Sequence, residues 1–523
     1  MTIRNTLVAA AIIAVSALLA PFYGPGIRAR AASASTDDIA PEMHTVAEAY
    51  ALIEKNYADP VNSEKAFYQG AIPGMLHTLD PHSSFVDPAE YREMQRRQHA
   101  QYYGVGMQIT MDGPKVVVME PFINSPAWKA DLRRGDVIVA IDGKDTKGMD
   151  SGAVADLLRG PRGTLVRVSV HRDGETVPYT ANVTRGEIQT SAVEGFWLKP
   201  GIVFLDVDTF EAQNVSQDVE DLMGKMGEAT VNGLVLDLRD NLGGLVNEAV
   251  ALAGRFLRNG QTVVSHRGRA EAEQVFRAKA NPLAQKYPIV VLVNRSSASA
   301  SEIVSGALQD HDRAWILGET TFGKGLVQAQ FPLSEGAALL LTIAHYYTPS
   351  GRLIQRDYSH ESFYDYYTRR DQKPDTQDIK LTDSGRKVYG GGGITPDEKY
   401  PAEHYNMFQR RTGGWVIFRF ANNYFGTKKP ELPANWQPDD AVLGKFREYI
   451  QSKNIPFTDA EFAANRDWLS GQIRYEFYYR AFGKATADRA KWMDDPEVLK
   501  AIQSLPKAQA LLAGAEKMVV QRQ

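Results

Sequence analysis

IVVLVNRSSASASEIVSGALQ, residues 289–309, passes through three textures in succession. Ile289–Val293 is a short apolar run that reads as a buried strand. Ser296-Ser297-Ala298-Ser299 is a turn of small residues, and a helix is expected from there to about Gln309. Two other stretches repeat the theme. Gly233–Leu238 is an apolar strand, Gly243-Gly244 follows, and Leu245–Leu257 has helical spacing. Ala314–Leu317 and Leu339–Tyr346 read as further strands. Strand–turn–helix repeats imply an α/β domain over 189–400 with an at least partly parallel sheet. Its site belongs at the strand C-termini.

The serine run therefore falls where a nucleophile would be exposed at a sheet end. The amides of the following helix point outward there and suit an oxyanion. The plain alternative is a Ser-rich N-cap. Gly318-Glu319-Thr320-Thr321-Phe322-Gly323-Lys324-Gly325 nearly matches a phosphate-binding loop. Gly325 stands where the hydroxyl should be, and Leu326–Leu333 alternates like a strand, whereas a phosphate loop needs a helix N-terminus. Lys324 reads better as a general base, since burial lowers a lysine pKa toward the working pH. Ser–Lys pairs are one form of nucleophile activation. Gln328, four residues on, lies on the same face as Lys324 if the segment is extended. In Asp237–Leu245, Gly243 or Gly244 could donate an oxyanion amide; the alternative is a turn needing positive φ.

Composition removes other chemistries. The 523 residues are too many for one core. Apolar residues make up 43% and charged residues 23%, as in soluble globular proteins. A net charge of −4 gives no basic surface for nucleic acid. Without cysteine there is no thiol nucleophile, disulfide or zinc–thiolate site. The ten histidines show no H-E-x-x-H spacing, and no serine sits in G-x-S-x-G. No metal or organic cofactor is called for. His311 and the S-x-x-K match Ser504–Lys507 read as structural or as chance.

Arg4, the apolar run Leu7–Ala20, Pro21 and Ala29-Arg30-Ala31 read as an export signal over 1–31. The periplasm or another extracytoplasmic compartment is expected, and an uncleaved inner-membrane anchor stays open. Residues 32–100 read as an N-terminal helical region. Val46, Tyr50, Ile53 and Tyr57 recur at helical spacing, and Pro73 should kink or divide a second helix over 63–79. Residues 101–188 form a small β-rich module with strands at Lys115–Met119, Val137–Ile141 and Leu165–Val170. Residues 401–523 are expected to be mostly helical. Thr458 with Glu461 forms a capping box, and Asp495-Pro496 starts a helix. The aromatic residues between Tyr475 and Phe482 serve packing.

Taken in order, these segments resemble the C-terminal processing peptidases, serine peptidases of family S41. Gly74-Met75-Leu76 with Leu79-Asp80-Pro81-His82-Ser83, then Gly104-Val105-Gly106, Asp237-Leu238-Arg239 with Gly243-Gly244, Ser297–Ile303, Thr321–Gly325 with Val327-Gln328, Tyr347–Gly351 and Gly393–Asp397 carry the likeness. It covers roughly residues 65–400. It implies an α/β (α+β) multidomain chain with a ClpP/crotonase-like core and an inserted PDZ domain. It further implies Ser299 as nucleophile, Lys324 as base, Gln328 as its orienting partner, and an oxyanion hole from Ala300 and Gly243-Gly244. Chemistry alone does not separate Ser299 from Ser297 or Ser301.

Ser125-Pro126-Ala127 with Leu132, and Gly135–Ile138 with Ile141-Asp142-Gly143, make 101–188 similar to a PDZ domain. Tyr103, Gly104, Val105 and Gly106 would then form the loop that captures an apolar peptide C-terminus. Arg159 is a candidate sensor, with a plain surface arginine as the alternative. Three positions depart from the family pattern: Ser296 and Asp131 replace usual glycines, and Pro73 is unusual. The expected activity is cleavage of exported proteins from their C-termini. A non-catalytic PDZ scaffold on a peptidase-like fold is the competing reading. An adaptor and self-association are left open.

Overall fold

The computed structural model describes residues 39–88, 90–92, 94, 103–172, 175–188, 192–270, 272–279, 287–358, 366, 375–401, 404–426 and 430–522. The expected export signal lies outside the described residues. Among the described residues, no helix is long and apolar enough to cross a membrane. The chain divides into two compact units. One comprises 1–99, 192–400 and 504–523, and the other 100–191 and 401–503.

In the first unit the central sheet holds β1 (Val193–Lys199), β2 (Ile202–Val207), β3 (Gly233–Asp237), β6 (Ile289–Val293), β7 (Trp315–Gly318) and β10 (Glu398–Lys399), side by side in that order. Only β1 runs antiparallel to its neighbour. Every residue of β3 and β6 is buried, as unbroken apolar runs require. Helix α1 (Val246–Phe256) connects β3 toward β6, and α2 (Ala300–Asp310) connects β6 to β7. Leu252, Ile303 and Val304 pack with Leu234, Leu236 and Val291 in one core. All residues of α2 are buried. A second sheet holds β4 (Thr262–Arg267), β5 (Gln274–Arg277), β8 (Leu326–Pro332) and β9 (Ala338–Tyr347), with the short strand Ser84–Val86 paired to β9.

Pro73 divides the stretch through the turn ahead of it. Segments Ser63–Ala66 and Ile72–His77 are α-helical, and Phe67–Ala71 between them is a π turn. Proline lacks the amide for an i→i−4 bond, and widening the preceding turn accommodates it without ending the helix.

In the second unit, strands Met107–Asp112, Lys115–Pro121, Val137–Ile141, Leu165–His171 and Tyr179–Thr184 form a sheet in that order. Val118, Ile138, Val154, Leu158 and Val168 share its core with helix Ser151–Leu158. Asp131 has φ 55, which is why glycine suits that position. Ser296, by contrast, is not among the residues with positive φ. Helices from Met407 to Phe482 pack around Phe420, Phe446, Leu469 and Phe477. The Thr458–Glu461 capping box forms, and Asp495 Oδ1 accepts the Glu497 amide at 2.8 Å. Phe477 stacks on Trp436, with ring centres 5.0 Å apart.

Candidate active site

Three loops leave the carboxyl ends of adjacent parallel strands: the glycine turn after β3, the serine turn after β6 and the lysine loop after β7. The serine turn is tied to the glycine turn. Ser297 Oγ donates to the Leu238 carbonyl at 2.7 Å, and Ser301 Oγ to the Asn241 carbonyl at 2.9 Å. Ser299 Oγ is buried with no hydrogen-bond partner. The outer two hydroxyls are structural, and the middle one is uncommitted. Ser299 is the residue before α2 and has φ 54, ψ −109, a strained conformation for a non-glycine residue.

Gly243 presses against this serine. A Cβ there would lie 2.7 Å from the Ala298 oxygen and 2.9 Å from both Ala300 N and Ser299 Cβ. Its φ of 99 also favours glycine. The Gly243 amide donates to Asn241 Oδ1 at 2.8 Å. The amides of Gly244 and Ala300 make no such bond among the described residues.

Lys324 is completely buried, and its pKa is pulled down to about 7. Burial is the main cause; Glu302 and Asp80 oppose it through their charge. Lys324 precedes β8 rather than lying in it, and a bulge separates Val327 from Gln328. Strand alternation therefore does not align Lys324 with Gln328, as the extended reading expected. The loop instead packs tightly: a Cβ on Gly325 would meet Gln355 N at 2.5 Å. A strand follows the lysine, so the helix a phosphate loop needs is absent here.

One carboxylate that the sequence reading passed over holds these pieces together. Glu302 Oε2 accepts the amides of both Ser299 and Lys324, each at 2.8 Å. Its Oε1 accepts Thr321 Oγ1 at 2.5 Å and the Gly323 amide at 2.6 Å. Burial raises the Glu302 pKa, and these four donors act against that rise. The spacing Ser299-x-x-Glu302 is a capping-box signature and could have drawn attention to it. Gln328, also fully buried, donates Nε2 to the His82 carbonyl at 2.7 Å. Neither Ser299 Oγ nor Gln328 Oε1 is hydrogen-bonded to Lys324. Catalytic contacts often close only around bound substrate.

The remaining candidates behave separately. Tyr103 and Gly104 pair with Glu187 and Gly186. Gly106 has φ 75, and a Cβ there would meet Ser125 Cβ at 2.5 Å. Arg159 pairs with Asp156 at 2.9 Å, on the surface of the second unit. His311 bridges Asp383 at 2.8 Å and the Thr262 carbonyl at 2.7 Å, away from the serine turn's hydroxyls. Ser504 and Lys507 both bind Glu398 Oε2, at 2.8 and 2.9 Å, and so fasten a helix.

Comparison with known proteins gives the family of the chain. Residues 201–359 match Peptidase family S41, 117–172 match the PDZ domain, and 26–89 match the activating protease CtpB N-terminal domain. The chain is 40% identical over 299 residues to a carboxy-terminal-processing protease of Bartonella bacilliformis, covering 56% of this chain and 68% of that one. It is 30% identical over 319 residues to carboxy-terminal processing protease CtpB of Bacillus subtilis, covering 60% of this chain and 66% of that one. Among solved structures, the photosystem II D1 C-terminal processing protease aligns at 29% identity and a TM-score of 0.39, over 76% of this chain and 94% of that one. A serine-type peptidase is what the match implies, and the chain belongs to peptidase family S41, the carboxy-terminal processing proteases.

Proposed function

We propose that the protein is an exported endopeptidase that cleaves proteins from their C-termini with a Ser299–Lys324 dyad. One observation carries this reading: the serine whose buried hydroxyl is unbonded and the buried lysine are tethered through their amides to the same Glu302 oxygen. Neutral Lys324 takes the proton from Ser299 Oγ as that oxygen attacks the peptide carbonyl. The tetrahedral oxyanion is received by the Ala300 amide and by the Gly244 amide of the Gly243–Gly244 turn. Lys324 then returns the proton to the leaving amine, and water releases the acyl group by the same route in reverse.

The substrate tail is taken by the PDZ module. Its loop Tyr103–Gly106 precedes the edge strand Met107–Asp112, which among the described residues has a neighbour on one side only. The amides of Val105 and Gly106 make no bond among the described residues and suit a carboxylate. Met107, Ile109 and Leu157 border the module's apolar core, which suits an apolar tail. An export signal over residues 1–31 would put this work outside the cytoplasm. The domain plan is the one the sequence suggests: helical region 32–100, PDZ 101–188, peptidase core 189–400 and helical region 401–523.

Ser299→Ala and Lys324→Ala should each reduce cleavage of a peptide with an apolar C-terminus by at least ~10³-fold while leaving the fold intact, read as an unchanged circular dichroism spectrum. A fluorophosphonate should label wild type at Ser299 alone. Full cleavage by Lys324→Ala would refute the dyad.

A further inference from the structure

Gln328 is gripped by a segment 246 positions earlier in the chain. Its amide nitrogen is fixed on the His82 carbonyl, which settles the orientation of the side chain. Its oxygen is left buried without a partner. A buried acceptor with no donor is unfavourable and calls for an N–H.

The gripping segment is itself braced. Asp80 Oδ1 accepts the amides of His82 and Ser83, each at 2.7 Å, and its Oδ2 accepts Ser83 Oγ at 2.6 Å. Ser83 Oγ in turn accepts the Thr342 amide at 3.1 Å. Thr342 is the register partner of Gln328 across β8 and β9. The turn is thus anchored to the strand opposite Gln328 and holds the Gln328 side chain at the same level. Burial first, then the charges of Lys324 and Arg356, push the pKa of the His82 ring well below the usual value. Its Nε2 meets Tyr366 Oη at 3.0 Å.

We propose that the Asp80–Ser83 turn is a positioning element for the base, holding Gln328 so that its Oε1 receives an N–H of the Lys324 ammonium. This rests on the Ser–Lys reading above. When the Ser299 proton moves to Lys324 Nζ, the amine gains a third N–H and a positive charge in a buried site. A pre-aimed carbonyl oxygen stabilises that ammonium without reorganising at the moment of reaction. Asp80 and Glu302 add negative charge around the same amine, with His82 and Arg356 also facing this region. Asp80, His82 and Ser83 position the base and do not touch substrate.

The full chain carrying Asp80→Ala, Asp80→Asn or Ser83→Ala tests this. Asp80→Ala and Ser83→Ala should lower kcat by roughly ten- to a hundredfold with KM within about twofold. Asp80→Asn keeps an acceptor for the two amides and should recover most of kcat. Its acid limb should move to lower pH, because Lys324 loses a neighbouring negative charge. A wild-type kcat in Asp80→Ala, or an acid limb unmoved in Asp80→Asn, overturns the proposal. Cleavage by Lys324→Ala would instead bring down the dyad, and the two failures are told apart in one set of assays.

Discussion

As the base of the proposed dyad, Lys324 links acidity to both rate and stability. Its pKa of about 7 means that below neutrality the base is mostly protonated. kcat/KM should therefore rise about tenfold per pH unit up to about pH 7 and level off above it. An acid limb near the ordinary lysine value of 10.5 would contradict this. In the unfolded chain the amine is charged up to that value; in the fold it loses its proton from about pH 7 upward. Between these limits the unfolded state binds the extra proton, so stability falls as pH drops from 10.5 toward 7. Lys324→Met should be inactive, and its gain in melting temperature over wild type should widen across that descent and then stay constant. The lysine loop was legible in the sequence from its flanking glycines. Residue chemistry alone did not separate Ser299 from its two neighbours, and only the family resemblance favoured it; the carbonyls of Leu238 and Asn241 that engage Ser297 and Ser301 are supplied by the tertiary fold.

Elements were legible where one physical pattern governs them. Ile289–Val293 and Val137–Ile141 are strands with the bounds their apolar runs indicate. The π turn before Pro73 was not, because a proline's effect on the turn ahead of it depends on what the helix packs against. The Asp80–Ser83 turn was visible as a turn, while its service to Gln328 lies in a contact between residues far apart in the chain. Two glycines predict opposite responses. Gly74 lies in a helix with open space where a methyl would go, so Gly74→Ala should stabilise by ~0.5–1 kcal/mol in denaturant titration. Gly325→Ala would force a methyl to 2.5 Å from Gln355 N. It should cost ~1–3 kcal/mol and displace the base, lowering kcat more than it raises KM.

On the scale of the whole molecule, the second unit joins two stretches remote in sequence. Arg134 of the PDZ module lies over the rings of Phe418 and Tyr479, at 4.8 and 4.6 Å, and pairs with Glu476 at 3.0 Å. Glu476 is largely buried, and its carboxyl pKa is raised by that burial, with Arg134 opposing. Arg134→Ala should strand this carboxylate and destabilise the unit by ~2–4 kcal/mol, read as a lowered first unfolding midpoint in calorimetry. Arg134→Lys should recover little, since a planar guanidinium is what stacks on both rings.

The peptidase unit is likewise assembled from separated stretches, and residues 504–523 belong to it. Leu505 lies under Gly233 of β3, and Ser504 and Lys507 grasp Glu398 of β10. A ribosome that has delivered every proposed catalytic residue has thus not yet delivered the helix that braces the sheet. Until that helix emerges, the newborn chain holds its proposed dyad on a sheet whose last strand is not yet clamped.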